Sequence, residues 1–285
     1  MRFATIPLAA ALWALAMPAA AAPPSETGAL LVRNGHVLTM DPRTGDLPRA
    51  DVLVRDGRIV AVGPDLEPGD ARVIDAEGAF VLPGFVDTHS HLYTTTMRGQ
   101  FRNADGAYFD TAESLAPSMT PDDVRIAMQV GALELLDGGI TTTGDFFDNV
   151  RSPAHGDAGL QALEAAGIRA VLYYGGPDKS TRHPIDVEHL SALAATRGEE
   201  ARVRMGLAWR LPRDRDDADN WAMRMHEREA ARALGLPVQV HVSVEPGPIF
   251  DALIARDLLA PDLSLVHATD ATPAQLQALE TAGGA

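Results

Sequence analysis

Nine histidines and no cysteine define what metal chemistry this chain can perform. Any metal must sit on imidazole or carboxylate. A thiolate site, a cysteine nucleophile, a disulfide framework and the His/Cys/Cys zinc site of base-flipping deaminases are excluded. The densest signal is Asp87-Thr88-His89-Ser90-His91. Alternate residues of a strand share a face, so His89 and His91 project from one side roughly 7 Å apart along the chain, where one metal can take both. Two further histidines, His241 in PVQVHVSVEP and His267 in LSLVHATD, each stand near the C-terminal end of a predicted strand. A single strand histidine is a weak signal, but four converging on one face make a metal site the better reading. The other five are bland. His36 falls at a predicted hairpin turn, His155, His183 and His189 on loop or helix surfaces, and His226-Glu227 opens an H-E-x-x-H look-alike that fails because position 230 is Ala. Lys179, the only lysine, reads as a solvated loop residue. Serine-hydrolase elbows and phosphate-cradling glycine loops are missing from the sequence.

The elements that must position these histidines follow from the apolar rhythm. From Leu30 to Leu82 short apolar blocks alternate with turn signals, and Asn34-Gly35 and Asp56-Gly57 are each expected to close a tight β-hairpin of type I′. After Pro83 strand and helix alternate six times, with Thr120-Pro121-Asp122 as a helix start and Gly138, Gly167 and Gly235 as C-terminal caps. That alternation implies a parallel sheet covered by helices, either doubly wound or an eight-stranded barrel. At about 34 residues per unit the chain accommodates six units, and closing an eight-fold barrel would take on the order of 70 residues more.

The 24 Lys+Arg against 39 Asp+Glu give a net charge of −15, which argues against nucleic acid and anionic membrane surfaces as partners. Met1-Arg2, an apolar run from Phe3 to Met17 and small residues at Ala19 to Ala21 have the three parts of a cleavable secretory signal. Export to the periplasm or beyond is the expected outcome, with no membrane association after cleavage.

The residues VLPGFVDTHSHL, preceded by the two hairpin signals and followed by GGITTTGDF, a strand-five histidine and LSLVHATD, resemble the amidohydrolase superfamily, in particular its cytosine deaminase-like and triazine hydrolase-like branch. The resemblance runs from Leu30 to the last residue. It implies an α/β fold, a (β/α)8 TIM-type barrel represented here by about six units, with a β-sandwich built from both chain ends. The resulting division is a signal peptide over 1–22, the N-terminal part of the β-sandwich over 23–82 and the hydrolase barrel over 83–285. It further implies one divalent metal, zinc with iron or manganese as substitutes, that activates water for attack on a carbon–nitrogen bond. By position His89 and His91 match the first-strand ligands, His241 the fifth-strand ligand and His267 the sixth-strand histidine, which also counts among the catalytic groups.

Two departures from that branch stand out. Its members carry an Asp at the end of strand eight, and this sequence stops near where strand seven should begin. Its deaminases carry a Glu three residues after the strand-five histidine, where this chain has Val244, with Glu245 one place later as the candidate proton carrier. No lysine stands in RVRMGLAW to bridge two metals, so a mononuclear site is expected. Asp87 and Asp145 read as acids behind the ligands or as caps and not as ligands, with orientation of a ligand imidazole a further role open to Asp87. The expected activity is hydrolysis of a small amide, cyclic amide or amino-substituted ring. Deamination of a heterocycle is the alternative, and an inert product of an unclosed barrel the reading from a different class. The partner is a small-molecule substrate, and a homo-oligomer is left open.

Overall fold

The structure, a computed structural model, describes residues 28–101, 107–177, 182–198, 200–212, 214, 216–242 and 248–285. The expected signal segment, Lys179 and Glu245 lie outside the described residues. The chain divides into two compact units, Met1–Pro83 and Gly84–Ala285.

In the first unit β1 (Leu30–Val37), β2 (Leu47–Arg55), β3 (Arg58–Gly63) and β4 (Arg72–Asp75) form a sheet in the order β3-β2-β1-β4, and β5 (Phe80–Val81) also pairs with β1. Asp56 and Gly57 both take positive φ, 48° and 73°, and join β2 to β3 with Arg55 opposite Arg58. That is the two-residue turn expected. Asn34-Gly35 is not a hairpin turn. It lies inside β1, where three steps from Val32 to Gly35 face two from Val52 to Ala50, so Asn34 (φ 60°) is the extra residue of a β-bulge. The Asp51 carboxylate accepts the Asn34 amide at 2.9 Å, and a Cβ on Gly35 would lie 2.5 Å from the Val81 side chain. His36 is therefore a strand residue, tilted against Phe80.

The second unit holds six parallel strands among the described residues: β6 (Phe85–Ser90), β7 (Ile140–Phe147), β8 (Arg169–Tyr174), β9 (Val203–Ala208), β10 (Val238–His241) and β11 (Leu263–Val266). They pair in chain order. The helices are α1 (Ala107–Leu115), α2 (Pro121–Asp137), α3 (Pro153–Ala166), α4 (Val187–Ala195), α5 (Ala218–Ala233), α6 (Pro248–Ala255) and α7 (Pro273–Ala282). Helix α1 and the 3-10 stretch Leu92–Gln100 fill what the sequence rhythm suggested was a single connection from β6 to α2. Thr120 caps α2 with a reciprocal box to Asp123. Gly138, Gly167 and Gly235 end their helices as expected, Gly167 and Gly235 with positive φ, whereas Gly138 caps α2 at φ −77° and the left-handed position falls to Gly139. None of the described helices is long and apolar enough to cross a membrane.

A flat sheet would hold β6 and β10 about 19 Å apart, four spacings of ~4.8 Å. Gln239 of β10 nevertheless donates to the Thr88 carbonyl of β6 at 2.7 Å. The sheet is thus curled so that residues on distant strands meet on its inner side. Apolar residues of the strands and helices, among them Leu172, Leu207, Val240, Leu163 and Leu253, form the buried cluster that holds the curl.

Helix α5 buries charge as well as apolar surface. Arg224 and Glu227 pair at 2.7 Å with side chains 3% and 1% exposed, Glu227 accepts the Ile185 amide, and Arg224 donates to the His183 carbonyl. Arg228 grips Asp262 through two bonds of 2.5 and 2.6 Å. Two of the histidines taken as surface residues are tied in too. His155 is buried between Ser152 and the Met119 carbonyl, and His189 bridges Tyr174 and Asp157.

Candidate metal centre

The strand alternation of β6 puts both imidazoles of the H-x-H segment on the inner side of the curl, with Nε2 of His89 3.1 Å from Nε2 of His91. His241 closes β10 and His267 follows β11, where it takes a left-handed backbone (φ 61°, ψ 39°). The rings of His89 and His241 are 4.8 Å apart, those of His89 and His267 5.2 Å, and those of His91 and His241 5.3 Å. One ligand atom from each of His89, His241 and His267 falls within a 4.8 Å span. All four candidate histidines are therefore brought together at the C-terminal ends of the strands, the face on which barrels of this kind carry their sites. His226 is left on the exposed side of α5, and Glu245 lies outside the described residues.

Hydrogen bonds set which nitrogen each H-x-H ring turns inward. The Gln239 amide nitrogen is occupied by the Thr88 carbonyl, so its oxygen faces His89 Nδ1 at 3.1 Å and must accept. His91 Nδ1 lies 3.2 Å from a carboxylate oxygen of Asp148, a group that also can only accept. Both rings thereby carry their proton on Nδ1 and present a bare Nε2 to each other. Two lone pairs at 3.1 Å repel unless a cation lies between them. Zinc with ~2.0–2.1 Å bonds in tetrahedral geometry spaces its ligand nitrogens by ~3.3 Å. His241 Nδ1 is buried with no hydrogen-bond partner among the described residues. The donor set thus fits a divalent metal.

Phe146, fully buried on β7, lies under three of the rings, 4.4 Å from His241, 5.4 Å from His91 and 5.6 Å from His89. Burial, with repulsion from His91, lowers His89 to about 4, and burial holds His241 well below the ordinary histidine range. His267 is lowered by the same two causes. Imidazoles kept neutral in this way keep their lone pairs for a metal.

Behind the ligands both acids accept backbone amides, the capping role open to them in the sequence. Among the described residues Asp87 hydrogen-bonds to no ligand ring. It accepts the His89 backbone amide at 3.3 Å and the Thr143 hydroxyl at 3.2 Å, which fixes the strand end. Asp145 is fully buried and accepts the Leu92 amide at 2.7 Å, which pins the turn immediately after His91. Ring orientation falls to Gln239 and Asp148. Gln239 was legible in principle, two residues before His241 and so on the same face of β10. Asp148 and Arg210, which pair with one another, sit in connections with no local pattern to mark them.

Burial pushes the Asp145 carboxyl up from 3.8 to about 7. Folding therefore takes up a proton there between about pH 4 and 7, and the cost of burying the ionised group is fully present only above pH 7. Asp145→Asn, which keeps an acceptor for Leu92, is expected to stabilise the metal-free chain by up to ~4 kcal/mol at pH 8, at ~1.4 kcal/mol per pKa unit. The gain should fade toward pH 4. Urea titrations at several pH values check this, and a difference that does not change with pH would contradict a buried neutral carboxyl.

The amidohydrolase family model matches residues 80–255. The chain belongs to the amidohydrolase family. Among curated relatives, a 5-methylthioadenosine/S-adenosylhomocysteine deaminase of Natronomonas pharaonis is 34% identical over 259 residues, spanning 85% of this chain and 56% of that protein. A 5'-deoxyadenosine deaminase of Methanosarcina mazei is 32% identical over 149 residues, 51% of this chain and 33% of the relative. Among solved structures, a mutant of the atrazine chlorohydrolase from Arthrobacter aurescens TC1, complexed with zinc and atraton, superposes with a TM-score of 0.72 at 25% identity, over 90% of this chain and 64% of that one. This amidohydrolase thus spans about half the length of the fuller curated match and a third of the other. The TIM-barrel architecture implied by the family resemblance is that of its structural neighbours.

Proposed function

We propose that this amidohydrolase family member is a metal-dependent hydrolase that removes an amino group from a small amino-substituted ring by attack of water. The convergence of His89, His241 and His267 at the strand ends, with one ligand atom of each inside a 4.8 Å span and His91 beside His89, carries the reading. The deaminases of adenosine-type compounds among the relatives favour a purine nucleoside over an amide or cyclic amide. A divalent metal, zinc first, would lower the pKa of water and polarise the bond under attack. His89, His91, His241 and His267 would hold it. The residues around them do the rest: Gln239 and Asp148 aim the rings, Phe146 excludes bulk water from below, and Glu245 is assigned to carry a proton to the leaving nitrogen.

Turnover of 5'-methylthioadenosine and 5'-deoxyadenosine, followed by ammonia release, beside a cyclic amide and a chlorinated triazine, followed by ring opening and chloride release, on zinc-loaded protein tests the assignment. Turnover of a nucleoside that stops on chelation and returns with zinc is expected. Turnover of the triazine alone would move the substrate class to that of the chlorohydrolase neighbour, and turnover of none would overturn the hydrolytic reading. We propose in addition that residues 1–22 are cleaved on export and that the enzyme works in the periplasm or outside the cell. The charged start, apolar run and small-residue site support this. N-terminal sequencing of the protein recovered from the periplasm should begin just after the alanine tract, and an intact Met1 would contradict it.

A further inference from the structure

One buried charge pair at the strand ends is left without a role by the ligand set alone. Asp148 follows β7, its side chain is 2% exposed, and its two oxygens have different partners: Oδ1 faces His91 Nδ1 at 3.2 Å, and Oδ2 pairs with the guanidinium of Arg210. Arg210 follows β9 and its guanidinium also lies 5.7 Å from the centre of the Phe146 ring. Strand β8 runs between β7 and β9, so the pair has to cross its end. Gly175 stands at that end, and a Cβ there would come within 2.8 Å of Ala208, 3.2 Å of the Phe147 carbonyl and 3.3 Å of the Asp148 Cα. The missing side chain lets the connections after β7 and β9 approach closely enough to pair.

We propose that Arg210 is a positioning residue that acts on His91 through Asp148, locking the proton on His91 Nδ1 and the bare Nε2 toward the metal. The inference rests on the metal-site reading above. A carboxylate bonded to the ring alone could rotate about its own side-chain torsion and share its position with water. With the second oxygen held by a planar, permanently charged group, the carboxylate has one orientation and the imidazole follows it. The charge pairing also lets a carboxylate remain ionised in a buried place, where an unpaired one would be expelled or neutralised. His89 reaches the same end by a different route, through the neutral amide of Gln239. The two rings of the H-x-H segment are thus held by separate devices anchored on different strands, and a change at Arg210 should reach His91 and leave His89 alone.

The test combines zinc affinity, by competition with a chromophoric chelator, with the tautomers of the metal-free imidazoles, by two-bond nitrogen–proton NMR. Arg210→Gln and Asp148→Asn are each expected to weaken zinc binding by ~10–100-fold, the range for partners that orient a ligand. The double variant should be little worse than either single one. In both single variants the His91 signal should move from the Nδ1–H form toward a mixture, with His89 unchanged. Should Arg210→Gln fail to fold, Arg210→Lys, which keeps the charge and loses the planar fork, should show the same shift to a smaller degree. Full additivity of the two losses, or a His91 signal unchanged in the folded variants, would overturn the proposal. So would an Arg210→Gln variant with normal zinc affinity and raised KM, which would make Arg210 a substrate contact. If the parent protein bound no zinc, the metal reading would fail, while the tautomer of metal-free His91 would still decide the role of Arg210.

Discussion

His241→Ala is expected to weaken zinc binding by at least ~100-fold, beyond the 10–100-fold that follows from losing an orienting partner, and to abolish turnover with it. The basis is the buried Nδ1 that no group among the described residues satisfies, on a ring that burial keeps neutral. A ring buried for packing alone would pair both nitrogens, as His155 does with Ser152 and the Met119 carbonyl. The stability that zinc adds to the parent, which grows with zinc concentration above the dissociation constant, should also vanish in the variant. His226→Ala, on the exposed side of α5, is the matched control and should bind zinc as the parent does. Metal analysis after dialysis against a weak chelator, with melting curves at two zinc concentrations, checks both. Stoichiometric zinc in His241→Ala would remove this ring from the ligand set.

Glu227→Ala should be the most damaging change outside the metal centre. It would remove the carboxylate that pairs with Arg224, itself buried, and would strip the Ile185 amide of its acceptor. Removing one partner of such a pair costs ~3–5 kcal/mol, where replacing both by apolar groups of similar volume is often close to neutral. Denaturant unfolding of Glu227→Ala beside Arg224→Met/Glu227→Leu distinguishes the two cases: a large loss in the single variant and a smaller one in the double. Equal losses would mean that the ion pair itself, and not the removal of one partner alone, holds the loop before α4 against α5.

The sequence was most legible where a short-range rule acts alone. The period of two in Asp87-Thr88-His89-Ser90-His91 put both imidazoles on one face, and Asp56-Gly57 made the turn its positive-φ residues allow. Thr120-Pro121-Asp122 began a helix for the same local reasons. Legibility failed where a distant partner decides between two local options. Asn34-Gly35 suits a bulge as well as a hairpin, and pairing of β1 with β2, β4 and β5 through the whole segment selected the bulge. Asp87 looked placed to orient a ligand ring, but its carboxylate is taken by a backbone amide and Thr143, and the ring positions are set from β10 and from the connections after β7 and β9. Those contacts exist only because the sheet curls, which strand order alone does not reveal. His155 and His189 were misjudged as surface residues for a related reason, since each is satisfied by a group on another element.

The most direct test is anomalous diffraction at the zinc edge from crystals of the zinc-loaded protein. One peak is expected, ~2.0–2.1 Å from Nε2 of His89 and of His91 and within bonding distance of a nitrogen of His241, with His267 beside it. A peak that misses the His89–His91 pair, or stoichiometric zinc bound at another place, would contradict the assignment of this histidine cluster as the metal centre.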